Sequence, residues 1–259
     1  IAPGMAAQLV RRNMRTIKLN VNTPVGREVL LKLIREADIF LEASKPGQYE
    51  KWGLTDERLW AENPRLVITH ISGFGQYGDP GYVRRASYDP IAQAFSGVMY
   101  MNGLPGRRSA PAEVSNSDYY TGYMAAFASL AAYINAAKTG AGDSIDVSQF
   151  ESTLRCEAGW PLDMWNHSGR DFVQGKGNNS NVGFNSYMCS DGREVYMVII
   201  GPALLKKLMQ LLDLPYNEGV FAGCINNVKE GTEAGAVLER AIVDFCSSRT
   251  SEEAERAFV

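Results

Sequence analysis

In SNSDYYTGY, residues 115–123, a single carboxylate, Asp118, stands just ahead of the apolar run YMAAFASLAAYINAA. Two uses fit that place. Asp is a favoured helix N-cap, since its oxygens accept free backbone N–H groups at the positive end of a helix. The same carboxylate, ionised beside polar loops, suits a nucleophile, with helix and loop N–H groups at hand for a developing oxyanion. SGFGQYGDPG, residues 72–81, holds four glycines in ten residues after an apolar, β-branched run. It is either a tight strand-to-loop turn or a loop whose backbone approaches a ligand closely. Gly73, Gly75 and Gly78 do not follow the GxGxxG spacing of dinucleotide sites. Lys45, Lys51, Arg84 and Arg85 are able to meet phosphate, or are solvated surface. GKGNNSNVG, residues 175–183, is rich in backbone donors and is either a lid or a linker. The two histidines offer little: His70 falls in an apolar strand pattern and reads as a hydrogen-bonded core residue, and His167 as surface. Trp160, Trp165, Tyr119, Tyr120 and Tyr123 are pocket or core aromatics.

Composition narrows the classes. The 259 residues are 45% hydrophobic and 21% charged with a net charge of −3, which lacks the basic face a nucleic-acid partner needs. Cys156, Cys189, Cys224 and Cys246 are too scattered for a zinc site or a disulfide framework. No metal is expected, and a reducing cytoplasm is the expected location. No basic segment leads into an apolar stretch at the start. The longest apolar run carries Gly122, Ser129 and Asn135, so it is expected to be a buried helix and not a membrane span.

The elements that must position these groups follow from periodicity. RTIKLNV reads as a strand, VGREVLLKLIREA as a helix and DIFLEA as a strand. LTDERLWAENP is a helix with Thr55 and Asp56 as cap candidates, ending at Pro64, and RLVITHISGF is a buried strand. Alternation of this kind predicts parallel pairing with right-handed crossovers. YDPIAQAFSGVMYMNG reads as a helix ending near Gly103, followed by the loop LPGRRSAPAEVSNS and by a long helix stopping at Gly140–Gly142. DSIDV is a short strand, and SQFESTLRCEAGWPLDMW a helix broken at Pro161. The polar stretch HSGRDFVQGKGNNSNVG separates this part from FNSYMCSDGREVYMVII, a hairpin with a type I′ turn expected at Asp191-Gly192. Helices at PALLKKLMQLL and AVLERAIVDFCSS follow. The expected organisation is a large domain over residues 1–168, a linker and Gly/Asn-rich loop over 169–183, and a smaller α+β domain over 184–259.

ADIFLEASK, GLTDERLWAENPRLVITHISGFGQYGDP, RRASYDPIAQAFSGVMYMNG, SDYYTGY and GAGDSIDVSQFE, in this order, resemble the family III CoA-transferases, in particular the carnitine and bile-acid branches. The resemblance implies an α/β fold, a Rossmann-like parallel-sheet large domain with a smaller α+β domain, and an interlocked homodimer. It also implies an enzyme that moves coenzyme A between an acyl-CoA thioester and a free carboxylic acid, with CoA as substrate and no permanently bound cofactor. Asp118 occupies the place of the family's nucleophile. Lys45, Gly73, Phe74, Gly75, Gln76 and Arg85 fall where CoA is expected to lie. Tyr88, Tyr119, Gly175, Gly177 and Asn178 fall where the reaction centre and its glycine-rich loop are expected. Trp52 stands where the carnitine branch has a basic residue, with Lys51 beside it. The family's first strand and helix would precede Ile1 and its returning segment would follow Val259, so a piece of a longer polypeptide is expected.

Two rivals differ in chemistry. An acyl-CoA racemase of the same fold needs an acid and a base about the α-carbon, and such relatives carry His-Asp where this sequence has Tyr88-Asp89; a tyrosine with a pKa of about 10 exchanges protons poorly near neutrality. A non-catalytic CoA-binding subunit is the other.

Overall fold

A computed structural model describes residues 4–102, 106–112, 114–157, 166 and 181–258. After a short helix α1 (Met5–Val10), residues 14–20 form no strand. RTIKLNV alternates as a strand should, but Ile17 is exposed and no neighbouring edge takes up its backbone bonds among the described residues. An unpaired strand in water has little to hold it. Regular structure begins at α2 (Pro24–Ile34), where the Thr23 hydroxyl accepts from the Gly26 N–H and Pro24 occupies the first turn. Gly26 is obligatory there, since a Cβ would lie 1.8 Å from the Asn20 carbonyl oxygen.

Three strands, β1 (Ile39–Glu42), β2 (Val67–Ser72) and β3 (Ser144–Ser148), make a parallel sheet with β2 in the centre. The register pairs Glu42 with His70 and His70 with Asp146. Between β1 and β2 run α3 (Gln48–Lys51) and α4 (Asp56–Glu62), the latter capped by the Thr55 hydroxyl. Ile34, Leu54, Leu59, Leu66 and Ile68 form the core on this side, with Trp52 and Tyr49 in edge-on ring contact at its margin.

Beyond β2 come α5 (Pro80–Val83), α6 (Asp89–Ser96), α7 (Val98–Met101) and the long α8 (Asn116–Thr139), then β3 and α9 (Gln149–Cys156). The helix expected to run to Gly103 is broken at Gly97, which adopts φ 97°. Gly103 and Pro161 lie outside the described residues. α8 does stop at Gly140, but its expected burial is wrong in kind. Its buried stripe is made of small residues, three of them hydroxylated, comprising Ser117, Thr121, Ala125, Ser129 and Ala136, while Tyr123, Phe127, Leu130 and Ile134 face outward. Small side chains let the helix backbone come close to β2 and β3. A buried bond between the Thr69 and Ser129 hydroxyls, 2.7 Å, marks that approach.

The chain divides into two compact units, residues 1–175 and 176–259. In the second, β4 (Phe184–Met188) and β5 (Glu194–Val198) pair antiparallel. Their turn is not type I′. Only Gly192 has positive φ, and its N–H bonds the Cys189 carbonyl, so Ser190-Asp191 turn and Gly192 supplies the left-handed residue that a longer hairpin loop needs. α10 (Pro202–Leu211), α11 (Glu233–Ser247) and α12 (Ser251–Phe258) close a core around Leu205, Phe221, Leu238 and Ile242.

His70 ties the first unit together. Its Nδ1 meets Glu42 Oε1 at 2.9 Å and its Nε2 meets Asp56 Oδ1 at 3.1 Å, and Asp56 Oδ2 accepts from the Ser144 hydroxyl. Burial opposes charging the imidazole, but bonds and charges from Asp56 and Glu42 outweigh it and push its pKa up to about 10. A histidine whose folded-state pKa exceeds its unfolded value of 6.5 stabilises the fold fully below pH 6.5, and that contribution is lost as pH rises toward about 10. Replacing His70 by Gln strands the buried Glu42 carboxylate and is expected to cost about 3 kcal/mol. Urea unfolding from pH 6 to 10 checks this: the parent should lose stability relative to His70→Gln across that range.

Candidate active site

Functional loops in parallel α/β sheets gather at the carboxyl ends of the strands. Here those ends lead into Lys45 after β1, residues 73–79 after β2 and Gln149 after β3. Gly73 is required by contact: a Cβ would fall 2.3 Å from the Ser87 Cβ. Gly75 has φ 87°, and the next N–H, of Gln76, donates to Asp146 Oδ2 at 2.7 Å, folding the loop back over β3. Beneath it Phe74, Phe95 and Phe150 are in mutual ring contact, with Tyr82 against Phe74 and Phe95.

Asp118 sits in the first turn of α8, not at its cap. The cap residue is Ser115, at φ 48° and without a side-chain bond to the helix. The carboxylate that serves the open N–H groups comes from another helix. Asp89 Oδ1 accepts from the Ser117 N–H at 2.8 Å and the Asp118 N–H at 3.3 Å, and Asp89 Oδ2 accepts from Gln93 Nε2 at 2.5 Å. Gln93, wholly buried, also bonds both the N–H and the carbonyl of Ala112, fixing the strand of chain that enters α8. Asp89 is 7% exposed.

With the cap supplied elsewhere, the Asp118 side chain is exposed. Its Oδ1 accepts from Gln149 Nε2 at 2.5 Å, and Gln149 Oε1 accepts from the Ser87 hydroxyl at 2.7 Å. No hydrogen bond reaches Asp118 Oδ2 among the described residues. Burial, and then the charge of Asp89, push the Asp118 pKa upward, while the Gln149 bond pulls it down.

The other sequence-predicted residues are placed unevenly. Tyr88 is 76% exposed and caps α6 through its backbone, and Tyr119 is exposed beside Asp118, its ring 6.2 Å from that of Tyr123. Lys45 is exposed. Arg85 bonds the Gly81 carbonyl at 2.6 Å and covers the Tyr82 ring at 4.3 Å. Phe74 is buried in the aromatic cluster, so only its backbone is presented. Gln76 Nε2 is buried without a partner among the described residues. Gln76 also lines a cavity of about 390 Å³ whose walls include Glu50, Asp56, Glu57 and Asp146 and not Asp118; four carboxylates make it a poor seat for phosphate. Gly175, Gly177, Asn178, Trp160, Trp165 and His167 lie outside the described residues. Among the described residues no group of three or more His, Cys, Asp or Glu side chains is arranged to hold a metal, and no helix is long and apolar enough to cross a membrane.

Sequence reasoning missed Asp89, Gln93, Ser87 and Gln149 as parts of the site. Signals existed: Asp89 and Gln93 are four apart on an otherwise apolar helix, and Gln149 directly follows a strand's carboxyl end.

The family model described as CoA-transferase family III matches residues 2–259. The chain belongs to that family. A bile acid CoA-transferase, BaiK, of Clostridium scindens is 40% identical over 250 residues, covering 95% of this chain and 56% of that protein. An L-carnitine CoA-transferase of Proteus mirabilis is 39% identical over 210 residues, covering 81% and 51%. The chain thus spans about half the length of the curated relatives it matches. A CAIB/BAIF family protein from Brucella suis, 28% identical, superposes with a TM-score of 0.73 over 94% of this chain and 63% of that one. Rv3272 from M. tuberculosis, 21% identical, shares the fold with a TM-score of 0.79 over 96% of this chain and 65% of that one.

The Asp118 carboxylate is held at a cost to the fold. Because the folded-state pKa of Asp118 is raised, its ionised form destabilises the fold above that pKa, and the penalty disappears as pH falls through it. Asp118→Asn is expected to unfold at a higher urea midpoint than the parent at pH 8, with the gap closing on acidification; a constant gap would contradict the raised pKa.

Proposed function

We propose that the protein is a CoA-transferase that moves coenzyme A between an acyl-CoA thioester and a free carboxylic acid, with Asp118 as a covalent nucleophile. One observation carries this: the Asp118 carboxylate is exposed at the carboxyl side of the sheet with one oxygen held by Gln149 and the other without a bond among the described residues. Asp118 Oδ2 attacks the thioester carbonyl, the C–S bond breaks, and a mixed anhydride and CoA thiolate result. The thiolate then attacks the aspartyl carbonyl, releasing the first acid and leaving an aspartyl thioester. The acceptor carboxylate repeats the two steps in reverse and departs as the new acyl-CoA. Dividing the exchange this way replaces one difficult step with easier ones, and the carboxylates and thiolate balance at every stage.

Lys45, the backbone of the Gly73–Gln76 loop and Arg85 lie along the CoA in this proposal, supported by the position of β1 and β2 ends. Tyr88 and Tyr119 are exposed aromatic residues that neighbour Asp89 and Asp118 in sequence, which suits a carnitine-like betaine through its quaternary ammonium; the 40% identity to a bile acid CoA-transferase makes a bile-acid substrate the other choice. Racemisation is the weaker alternative, since both Asp89 oxygens are already taken by N–H donors. The enzyme acts in the cytoplasm as a homodimer, with the outward stripe of Tyr123, Phe127, Leu130 and Ile134 on α8 covered by a second copy.

Asp118→Ala in the full-length polypeptide is expected to abolish exchange while CoA affinity stays within a few fold. Unchanged turnover, or rapid α-deuteration of one acyl-CoA without exchange, would contradict the proposal. A panel of carnitine, crotonobetaine and cholate thioesters identifies the substrate. Phe127→Glu is expected to convert a dimer to monomer in light scattering, and a parent that is already monomeric would sink the dimer.

A further inference from the structure

We infer that Gln149 is a catalytic residue of the transferase, its side-chain amide acting as the oxyanion donor on the aspartyl carbonyl when CoA thiolate attacks the anhydride. The inference rests on Asp118 being the nucleophile. Gln149 Nε2 donates to Asp118 Oδ1, not to the oxygen left without a bond among the described residues. When Oδ2 has been acylated, Oδ1 is the aspartyl carbonyl oxygen. As the thiolate sulfur bonds to the aspartyl carbonyl carbon, the carbonyl electron pair moves onto Oδ1. The carbonyl then re-forms and the bond from carbon to Oδ2 breaks, releasing the first acid as carboxylate with Oδ2 in it. The charge therefore develops on the atom that Gln149 already holds, which is where a preorganised donor is most effective.

Gln149 is built for constancy at that position. It is buried, 9% exposed, and begins α9 just after the Ser148 cap, whose hydroxyl accepts from the Glu151 N–H. The Ser87 hydroxyl donates to Gln149 Oε1, so the amide is oriented with its nitrogen toward Asp118. Ser87 in turn sits against Gly73, where no larger residue fits. Ser87 acts on Asp118 through Gln149 and is a positioning residue. In the resting enzyme the same amide favours the ionised carboxylate against burial and the Asp89 charge.

The test uses Gln149→Met, which keeps the side chain's approximate size and removes the amide nitrogen and oxygen together. In steady-state exchange with the full-length protein, kcat is expected to fall by about 10²-fold with the acyl-CoA KM within about twofold, because the bond strengthens in the transition state. The acid limb of the pH–rate profile should move to higher pH, since a bond favouring the charged carboxylate is gone. Ser87→Ala should shift both in the same direction by less, and add nothing further in the Gln149→Met background. A Gln149→Met enzyme with parental kcat and an unmoved pH profile would overturn the role of Gln149 while leaving Asp118 standing. Retained turnover in Asp118→Ala would instead remove the nucleophile on which the inference rests.

Discussion

A helix that begins inside a protein leaves backbone N–H groups that something must satisfy. Where α8 begins, Asp89 does so from the first turn of α6, its carboxylate accepting from Ser117 and Asp118 while Gln93 holds its second oxygen. The usual solution places the capping side chain just before the helix. Had Asp118 been used for that purpose, its oxygens would be spent on backbone. Moving the duty to a buried residue on another helix leaves the Asp118 carboxylate free of its own backbone, and partial burial, followed by the charge of nearby Asp89, raises its pKa.

That arrangement needs α6, α8 and α9 to be placed finely against one another. Small residues on the inner stripe of α8 allow it to lie against β2 and β3, and the Thr69–Ser129 bond fixes its height. Gly73 admits Ser87, Ser87 orients Gln149, and Gln149 holds Asp118. On the far side of the sheet, charged His70 bridges Glu42 and Asp56, so the strands whose ends carry the site are joined by ionic bonds as well as by their ladders. A polar scaffold of this kind is demanding, because each member is costly to bury unless its partners are present.

Much of this was legible in the sequence. The β-branched runs after α2 and α4 alternate with helical spacing, which is enough for parallel pairing, and caps such as Thr55 mark their own helices. What escaped depends on contacts between elements distant in the chain. RTIKLNV has strand character but lacks a paired edge, and Asp191-Gly192 suits both a two-residue type I′ turn and the three-residue loop Ser190–Gly192 that forms, which pair the strands in different registers. The apolar letters of α8 suggest a helix buried all round, yet its largest side chains face outward, because the closest packing on the sheet selects the smallest residues. Asp118 was found by its neighbours in sequence, whereas Asp89 and Gln149 reach it across 29 and 31 positions. No local pattern encodes such a meeting.

The step most open to measurement is the proposed covalent bond at one carboxylate. Incubating the full-length enzyme with an acyl-CoA and no acceptor, quenching with hydroxylamine and reading the mass of the peptide that contains Asp118 tests it most directly. A hydroxamate on Asp118, formed only when acyl-CoA is present, is the expected result. An unmodified Asp118 peptide from an enzyme turning over in a parallel sample, or a modification on a different residue, would contradict it.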